Sequence, residues 1–159
     1  MSAHEARLRN YAAASSRLGG RATGACMRPH CPSRAIIARM IDEGAFWRGA
    51  ALFDRGDYFD AHEAWEERWL STGEPNERLL LQGLIQVAAA FHKLIVSHSP
   101  ASADRLLGRG LTKLGACDPA SVPGFELTAF CSALHVCKLH IEDDGFDRAQ
   151  IPHMKAARE

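Results

Sequence analysis

Residues 57–69 read D-Y-F-D-A-H-E-A-W-E-E-R-W, and this stretch decides the fold of the chain. At helical spacing, one face of it carries small and aromatic side chains together with an imidazole: Tyr58, Ala61, His62, Trp65 and Trp69. Glu66 follows His62 by one helical turn, so a carboxylate lies inside or beside an aromatic stripe. Burying such groups without partners costs roughly 1–3 kcal/mol each. The stretch therefore predicts an amphipathic helix that carries a polar site into the interior of the protein.

Apolar residues recur with helical spacing on both sides of this stretch. A first helix is predicted from Arg34 to about Asp54, with an interruption near Gly44. Asp57 is then the expected N-cap of the second helix, which closes at residues 71–75. Three further helices are predicted at about residues 75–97, 100–114 and 125–141. The third is apolar on almost every side, so we expect it to be the central helix.

The fold class that follows is all-α. No alternating strand pattern of useful length occurs, and the predicted helices are joined by short loops, which is typical of an antiparallel bundle of about five helices. A chain of 159 residues is long enough to form one domain around a single core. We expect this domain to span residues 34–148, between a disordered basic tail at residues 1–33 and a C-terminal tail at residues 149–159.

The formal net charge of zero hides an uneven distribution of charge along the chain. Residues 1–34 contain six arginines and one acid, Glu5, a net charge of +5, which leaves −5 for the remainder. The folded part therefore lacks the overall basic field typical of proteins that bind nucleic acid, and we expect no nucleic-acid partner.

Hydropathy and cysteine usage bear on where the protein acts. The longest apolar run, Val87 to Phe91, is far shorter than the roughly 18 residues that a membrane helix needs, so no membrane association is expected. Five cysteines without a secretory leader favour reduced thiols in the cytoplasm. The Arg- and Ser-rich start, poor in acids, also resembles an organellar transit segment, which makes an organelle the alternative location.

His62 and Glu66 are the first candidates for chemistry, because one helical turn separates them and both can bind the same metal ion. A divalent metal needs at least one more ligand. His92 on the central helix is the expected third ligand, and Glu63 and His98 are weaker candidates. Glu66 and Glu63 are also the candidate catalytic carboxylates, since either can accept a proton from water.

A structural interpretation of the same residues is favoured over the metal site. In it, His62 and Glu66 form a buried hydrogen-bonded network with Gln82 or Gln86 that sets the register of two helices. If the site binds a small polar ligand, Gln82, Gln86 and Trp69 are the expected contacts. For Trp69, as for the other tryptophans, core packing is the more common explanation of such spacing.

Two further groups of possible metal ligands are judged to be weaker. Residues 26–31 read C-M-R-P-H-C, whose spacing matches no common zinc pair and lacks a fourth ligand. Cys131 and His135 lie one helical turn apart on the last helix, where exposed or half-buried side chains are expected instead.

Two segments resemble a known family. Residues 53–69 read F-D-R-G-D-Y-F-D-A-H-E-A-W-E-E-R-W and residues 79–94 read L-L-L-Q-G-L-I-Q-V-A-A-A-F-H-K-L. Together they are similar to domain-of-unknown-function family 309 (DUF309), with its A-H-E-x-x-E-x-x-W helix and its L-Q-G-L-I-Q helix. The resemblance implies a small all-α protein without an established reaction. The family's signature positions fall on His62, Glu63, Glu66, Trp69, Gln82 and Gln86.

Two functional hypotheses follow. The first is a domain that binds a divalent metal or a small polar ligand, with metal-dependent hydrolysis as the reaction expected of an enzyme. The second is a non-catalytic interaction domain whose polar cluster is structural and whose surface binds a protein partner or a second copy of the chain.

Overall fold

The computed structural model describes residues 42–120, 122, 124–142 and 146–154. These residues form five α-helices, a short 3₁₀ helix and no strand, which confirms the all-α prediction. The helices are α1 (Glu43–Asp54), α2 (Tyr58–Ser71), α3 (Pro75–Ile95), α4 (Pro100–Leu114) and α5 (Leu127–Glu142). The predicted basic tail, the segment 34–41 of the first predicted helix and the C-M-R-P-H-C motif lie outside the described residues. No described helix is long and apolar enough to span a membrane.

The turn between α1 and α2 begins the polar helix at the expected residue. Gly56, with a φ of +86°, makes the turn in a conformation that favours glycine. Asp57 occupies the N-cap position, but its carboxylate accepts a hydrogen bond from Arg55 Nε at 3.2 Å and makes no capping bond. The side chain of Asp42 does cap α1, accepting the backbone N–H of Ala45 at 3.0 Å.

Helix α3 is the central helix, as its apolar sequence predicts, and it packs against both α2 and α4. The contact with α4 is close because glycines face each other there. A Cβ atom on Gly83 would lie 2.7 Å from Leu114 Cδ2, and one on Gly110 would lie 2.9 Å from Val87 Cγ2. These two glycines therefore allow the two backbones to approach.

Aromatic side chains fill the core between α1, α2 and α3. Trp65 is fully buried, and its Nε1–H donates to the carbonyl oxygen of Phe46 at 3.1 Å. Phe53 lies next to Trp65, Tyr58 and Phe91, with ring centroids 5.1–6.1 Å apart. This packing places Trp65 in the core and holds the first half of α2 firmly against its neighbours.

The residues after α5 return to the helical bundle. A 3₁₀ helix at Arg148–Gln150 starts at a capping box formed by Asp147, and the side chains of Ile151 and Met154 are buried. The backbone N–H of Met154 donates to Asp54 Oδ1 at 2.7 Å. Two apolar side chains of the predicted C-terminal tail, Ile151 and Met154, therefore lie in the core. Residues 155–159 lie outside the described residues.

Candidate functional site

Three side chains of α2 offer ligand atoms to one point. One nitrogen of His62 and one carboxylate oxygen each from Glu63 and Glu66 all lie within 4.8 Å of one another. His62 Nε2 is 3.6 Å from Glu66 Oε2. We call these three residues the α2 triad. Glu66 follows His62 by four residues and Glu63 by three, which are the spacings at which side chains meet on one helix.

His62 is oriented by a contact with the central helix. Its side chain is buried, and Nδ1 lies 3.5 Å from the carbonyl oxygen of Ile85. Because a carbonyl oxygen can only accept, we assign the ring proton to Nδ1 in this contact. Nε2 then presents its lone pair toward Glu66. A backbone carbonyl that holds the other ring nitrogen is the usual support of a histidine that binds a metal.

The electrostatics of the α2 triad favour a cation. Two carboxylates meet one imidazole there, so acidic side chains outnumber basic ones, and a bound cation would balance their charge. The helix that carries them has four acidic residues and a single arginine. Glu63 and Glu66 are half-buried, so solvent screens their charges only in part.

The spacing of the ligand atoms fits a transition-metal ion with small side-chain adjustments. Bonds of about 2.0–2.2 Å to nitrogen and oxygen allow two ligand atoms of one ion to lie at most about 4.4 Å apart. The 3.6 Å between His62 and Glu66 meets this limit. The largest separation, 4.8 Å, exceeds it by a few tenths of an ångström, which carboxylate rotation can close.

His92, the third ligand expected from the sequence, is not one of the three residues whose ligand atoms converge. Its ring packs against Phe59, with centroids 5.8 Å apart. Phe59 also stacks on His62, with a centroid distance of 6.4 Å and an interplanar angle of 13°. The structure thus places one aromatic ring in contact with both histidines, and Glu63 joins His62 and Glu66 instead.

The two glutamines of α3 differ in their surroundings. Gln86 is 5% exposed, and its buried Oε1 accepts no hydrogen bond from any described residue. Gln82 is half-buried. Since buried side-chain oxygens are nearly always hydrogen-bonded, the Oε1 of Gln86 is a group for which the described part of the chain supplies no partner.

Trp69 lies two helical turns beyond His62, about 10 Å along the helix axis. The guanidinium carbon of Arg78 sits 4.6 Å from its ring centroid, and Arg78 Nη1 donates to the Trp69 carbonyl oxygen at 2.8 Å. The structure therefore shows Trp69 in a cation–π contact at the far end of α2.

The sequence did not predict the buried ionic cluster at the start of α3. Glu77 is 1% exposed, and its carboxylate accepts hydrogen bonds from Arg68, from the hydroxyl of Thr72 and, at 3.0 Å, from the backbone N–H of Asp42. Burial raises the pKa of Glu77, but the hydrogen bonds from Arg68, Thr72 and Asp42 outweigh it, so the pKa is lowered overall. We call Arg68, Thr72 and Glu77 the Glu77 clamp.

The cysteines of the described part of the chain are free thiols. Burial raises the pKa of Cys131 and Cys137, and burial together with the nearby Cys131 raises that of Cys117 to about 11. Thiols held in the neutral form are poor nucleophiles and poor metal ligands. Cys131 is half-buried and His135 is exposed, which is the arrangement expected from the sequence.

Comparison with known proteins places the α2 triad inside a recognised family segment. Residues 46–106 match the family described as Domain of unknown function (DUF309). The match spans α2 and α3 completely, with most of α1 and the start of α4, and so confirms the resemblance seen in the sequence. No curated protein gives a significant match to the chain.

Proposed function

We propose that this helical domain binds a divalent first-row transition-metal ion through the α2 triad of His62, Glu63 and Glu66. The observation that carries the proposal is the orientation of His62, whose Nδ1 contacts the Ile85 carbonyl while its Nε2 lies 3.6 Å from Glu66 Oε2. This arrangement combines a fixed imidazole with two negatively charged oxygen ligands.

The ligand chemistry narrows the choice of metal. Imidazole nitrogen favours zinc, iron, nickel and copper, and carboxylate oxygen favours manganese and magnesium. A set of one nitrogen and two carboxylates therefore suits zinc, iron or manganese best. Three ligands from the protein leave at least one coordination position for water or a substrate, as in catalytic metal sites.

Hydrolysis is the reaction we propose for such a site. A divalent metal supplies Lewis-acid chemistry and lowers the pKa of water. The side chains of the α2 triad hold the metal. The carboxylate oxygen of Glu66 or Glu63 that does not bind the metal is the proposed proton acceptor. Gln82 and Gln86 are the proposed contacts to a small polar ligand, and the unpartnered Oε1 of Gln86 supports this assignment because it can accept a hydrogen bond.

The experiment that tests metal binding is elemental analysis of protein purified without a histidine tag or chelator. His62→Ala, Glu63→Gln and Glu66→Gln are measured beside Glu67→Gln as a matched control. Glu67 lies on the same helix, but its side chain is 78% exposed and pairs with Arg48 at 3.5 Å. We expect about one zinc, iron or manganese ion per chain in the parent and in Glu67→Gln, and much less in the three triad variants.

A second candidate is a non-catalytic interaction domain, which a specific surface feature favours. Val136 and Leu139 on α5 are 50% and 58% exposed, although apolar side chains of this size are usually buried. In this alternative, the His62–Ile85 contact only joins α2 to α3. A metal-free parent, together with triad variants that melt several degrees lower, would support it and would overturn the metal site.

A further inference from the structure

A polar cleft lies where the returning C-terminal segment meets the turn between α1 and α2. Its volume is about 220 Å³, and the buried side chains of Phe53 and Ile151 form part of its lining. Drug-sized ligands occupy pockets of roughly 300–1,000 Å³, so this cleft suits a smaller molecule or ion. It lies beyond the α2 triad, and nothing in the proposed metal site involves it.

Arg148 is the charged group in this cleft that no carboxylate of the described residues neutralises. It forms no ion pair with any residue that the structure describes, whereas the neighbouring Arg55 pairs with Asp57 at 3.2 Å. The carboxylate in the cleft, Asp54, accepts the backbone N–H of Met154 at 2.7 Å and lies 3.6 Å from His153 Nδ1. The arginine charge is therefore available to a ligand.

Tyr58 adds a second hydrogen-bond donor. Its side chain is buried, which raises the pKa of the hydroxyl, and the positive charge of the nearby Arg148 opposes this rise. A guanidinium group has donors only, so the tyrosine proton is not donated to Arg148. Arg148 and Tyr58 thus offer N–H and O–H donors side by side.

Gly56 leaves the approach to Arg148 open. A Cβ atom at this position would lie 3.6 Å from Arg148 Nη2, and the φ of +86° disfavours any residue with a side chain. No methyl group or longer side chain from the turn therefore covers the guanidinium on that side.

We propose that this cleft binds a small oxyanion, a carboxylate or phosphate group, through the guanidinium of Arg148 and the hydroxyl of Tyr58. The planar fork of the guanidinium can donate two parallel hydrogen bonds to such a group. The hydroxyl of Tyr58 can donate a third.

The test is calorimetric titration of the full chain with inorganic phosphate and, separately, with acetate, at constant ionic strength. We expect at least one of them to bind with a Kd of about 1 mM, the range of a single well-formed ion contact. The anion that binds more tightly identifies the group that the cleft prefers. Failure of both to bind at about 10 mM would overturn the proposal.

Variants distinguish anion binding in this cleft from non-specific binding elsewhere on the protein. Arg148→Gln, at an exposed position, is expected to weaken binding about tenfold or more. Tyr58→Phe keeps the aromatic ring and is expected to weaken it by a smaller factor. Arg109→Gln, an exposed arginine on α4 outside the cleft, is the matched control and should bind as the parent does. Equal affinity of Arg148→Gln and the parent would show that binding occurs elsewhere and would contradict the proposal. The anion affinities of these variants do not depend on whether the α2 triad binds a metal, so they test the cleft separately from the proposed metal site.

Discussion

Arg68 binds both carboxylate oxygens of Glu77, with Nε 2.9 Å from Oε1 and Nη2 3.0 Å from Oε2. The pair joins the last turn of α2 to the first turn of α3, across the loop that contains Thr72. Because Glu77 also accepts the backbone N–H of Asp42 just before α1, one carboxylate ties three helices together. The Glu77 clamp thereby fixes the angle between the helix that carries the triad and the central helix that orients His62.

The first prediction concerns the stability that this pair provides. Arg68→Ala leaves the Glu77 carboxylate buried without its bidentate partner, and we expect the free energy of unfolding to fall by about 2–4 kcal/mol. Urea denaturation measures the change. Arg48→Ala removes the exposed partner of Glu67 and is the control, with an expected loss below about 0.5 kcal/mol. Equal losses in the two variants would show that the buried pair contributes no more than a surface pair.

The second prediction is a pH dependence of stability. The pKa of Glu77 is lowered from its ordinary value of 4.5, so the unfolded chain binds a proton more readily than the folded one. The contribution of Glu77 is therefore fully present above pH 4.5 and is lost as the pH falls through the lowered pKa. We expect stability to decrease more steeply below pH 4.5 in the parent than in Glu77→Gln. Parallel curves for the two proteins would contradict this assignment.

Helical spacing predicts most of the fold because it is a local property. The apolar residues around Leu84 identify the central helix, and Pro100 marks the start of α4 at the residue where the structure begins it. The His62–Glu66 pair is foreseeable for the same reason, since four residues separate the two on one helix.

Helical spacing does not predict contacts between residues that are far apart in the sequence. Glu77 resembles an ordinary acid in the first turn of a helix, and only the position of Arg68 on α2 makes its burial favourable. Met154 follows a proline and a histidine without any helical period, so its place in the core depends on Asp54, a hundred residues earlier. The ring of His92 contacts Phe59, and helical periodicity alone does not determine such side-chain rotamers.

The third prediction tests the returning C-terminal segment. Met154 is 1% exposed, so Met154→Ala opens a cavity and should lower the free energy of unfolding by about 2–4 kcal/mol. His153→Ala, whose side chain is 58% exposed, is the neighbouring control and should change stability by less than about 0.5 kcal/mol. Thermal or urea unfolding measures both. A small effect of Met154→Ala would mean that residues 151–154 do not complete the core in solution.

The fourth prediction uses two helical glycines in different surroundings. A Cβ on Gly49 would lie 2.2 Å from Trp65 Nε1, so Gly49→Ala should destabilise the protein by about 1–3 kcal/mol despite the better helix propensity of alanine. At Gly108 the nearest atom is Lys138 Cε at 3.6 Å, an ordinary contact. Gly108→Ala should therefore stabilise the protein by up to about 1 kcal/mol. A neutral or stabilising Gly49→Ala substitution would contradict the packing of α1 on Trp65.

The fifth prediction follows from the linkage between metal binding and stability. A metal that binds only the folded α2 triad raises the free energy of unfolding by about 2.7 kcal/mol when its free concentration is a hundred times the Kd. We therefore expect zinc, manganese or ferrous iron to raise the Tm of the parent by several degrees, and a chelator to reverse the rise. Glu63→Gln is the informative variant, because Glu63 is half-buried and its loss should leave the fold intact while removing a ligand.

The control for this measurement is Glu67→Gln, which keeps all three ligands and should show the same rise in Tm as the parent. Magnesium should produce a smaller rise, since it binds imidazole poorly. A rise of equal size in Glu63→Gln and in the parent would place the metal elsewhere on the chain. The His62–Ile85 contact would then serve only to join α2 to α3, because an imidazole with a fixed Nδ1–H still holds two helices together when its Nε2 binds no metal.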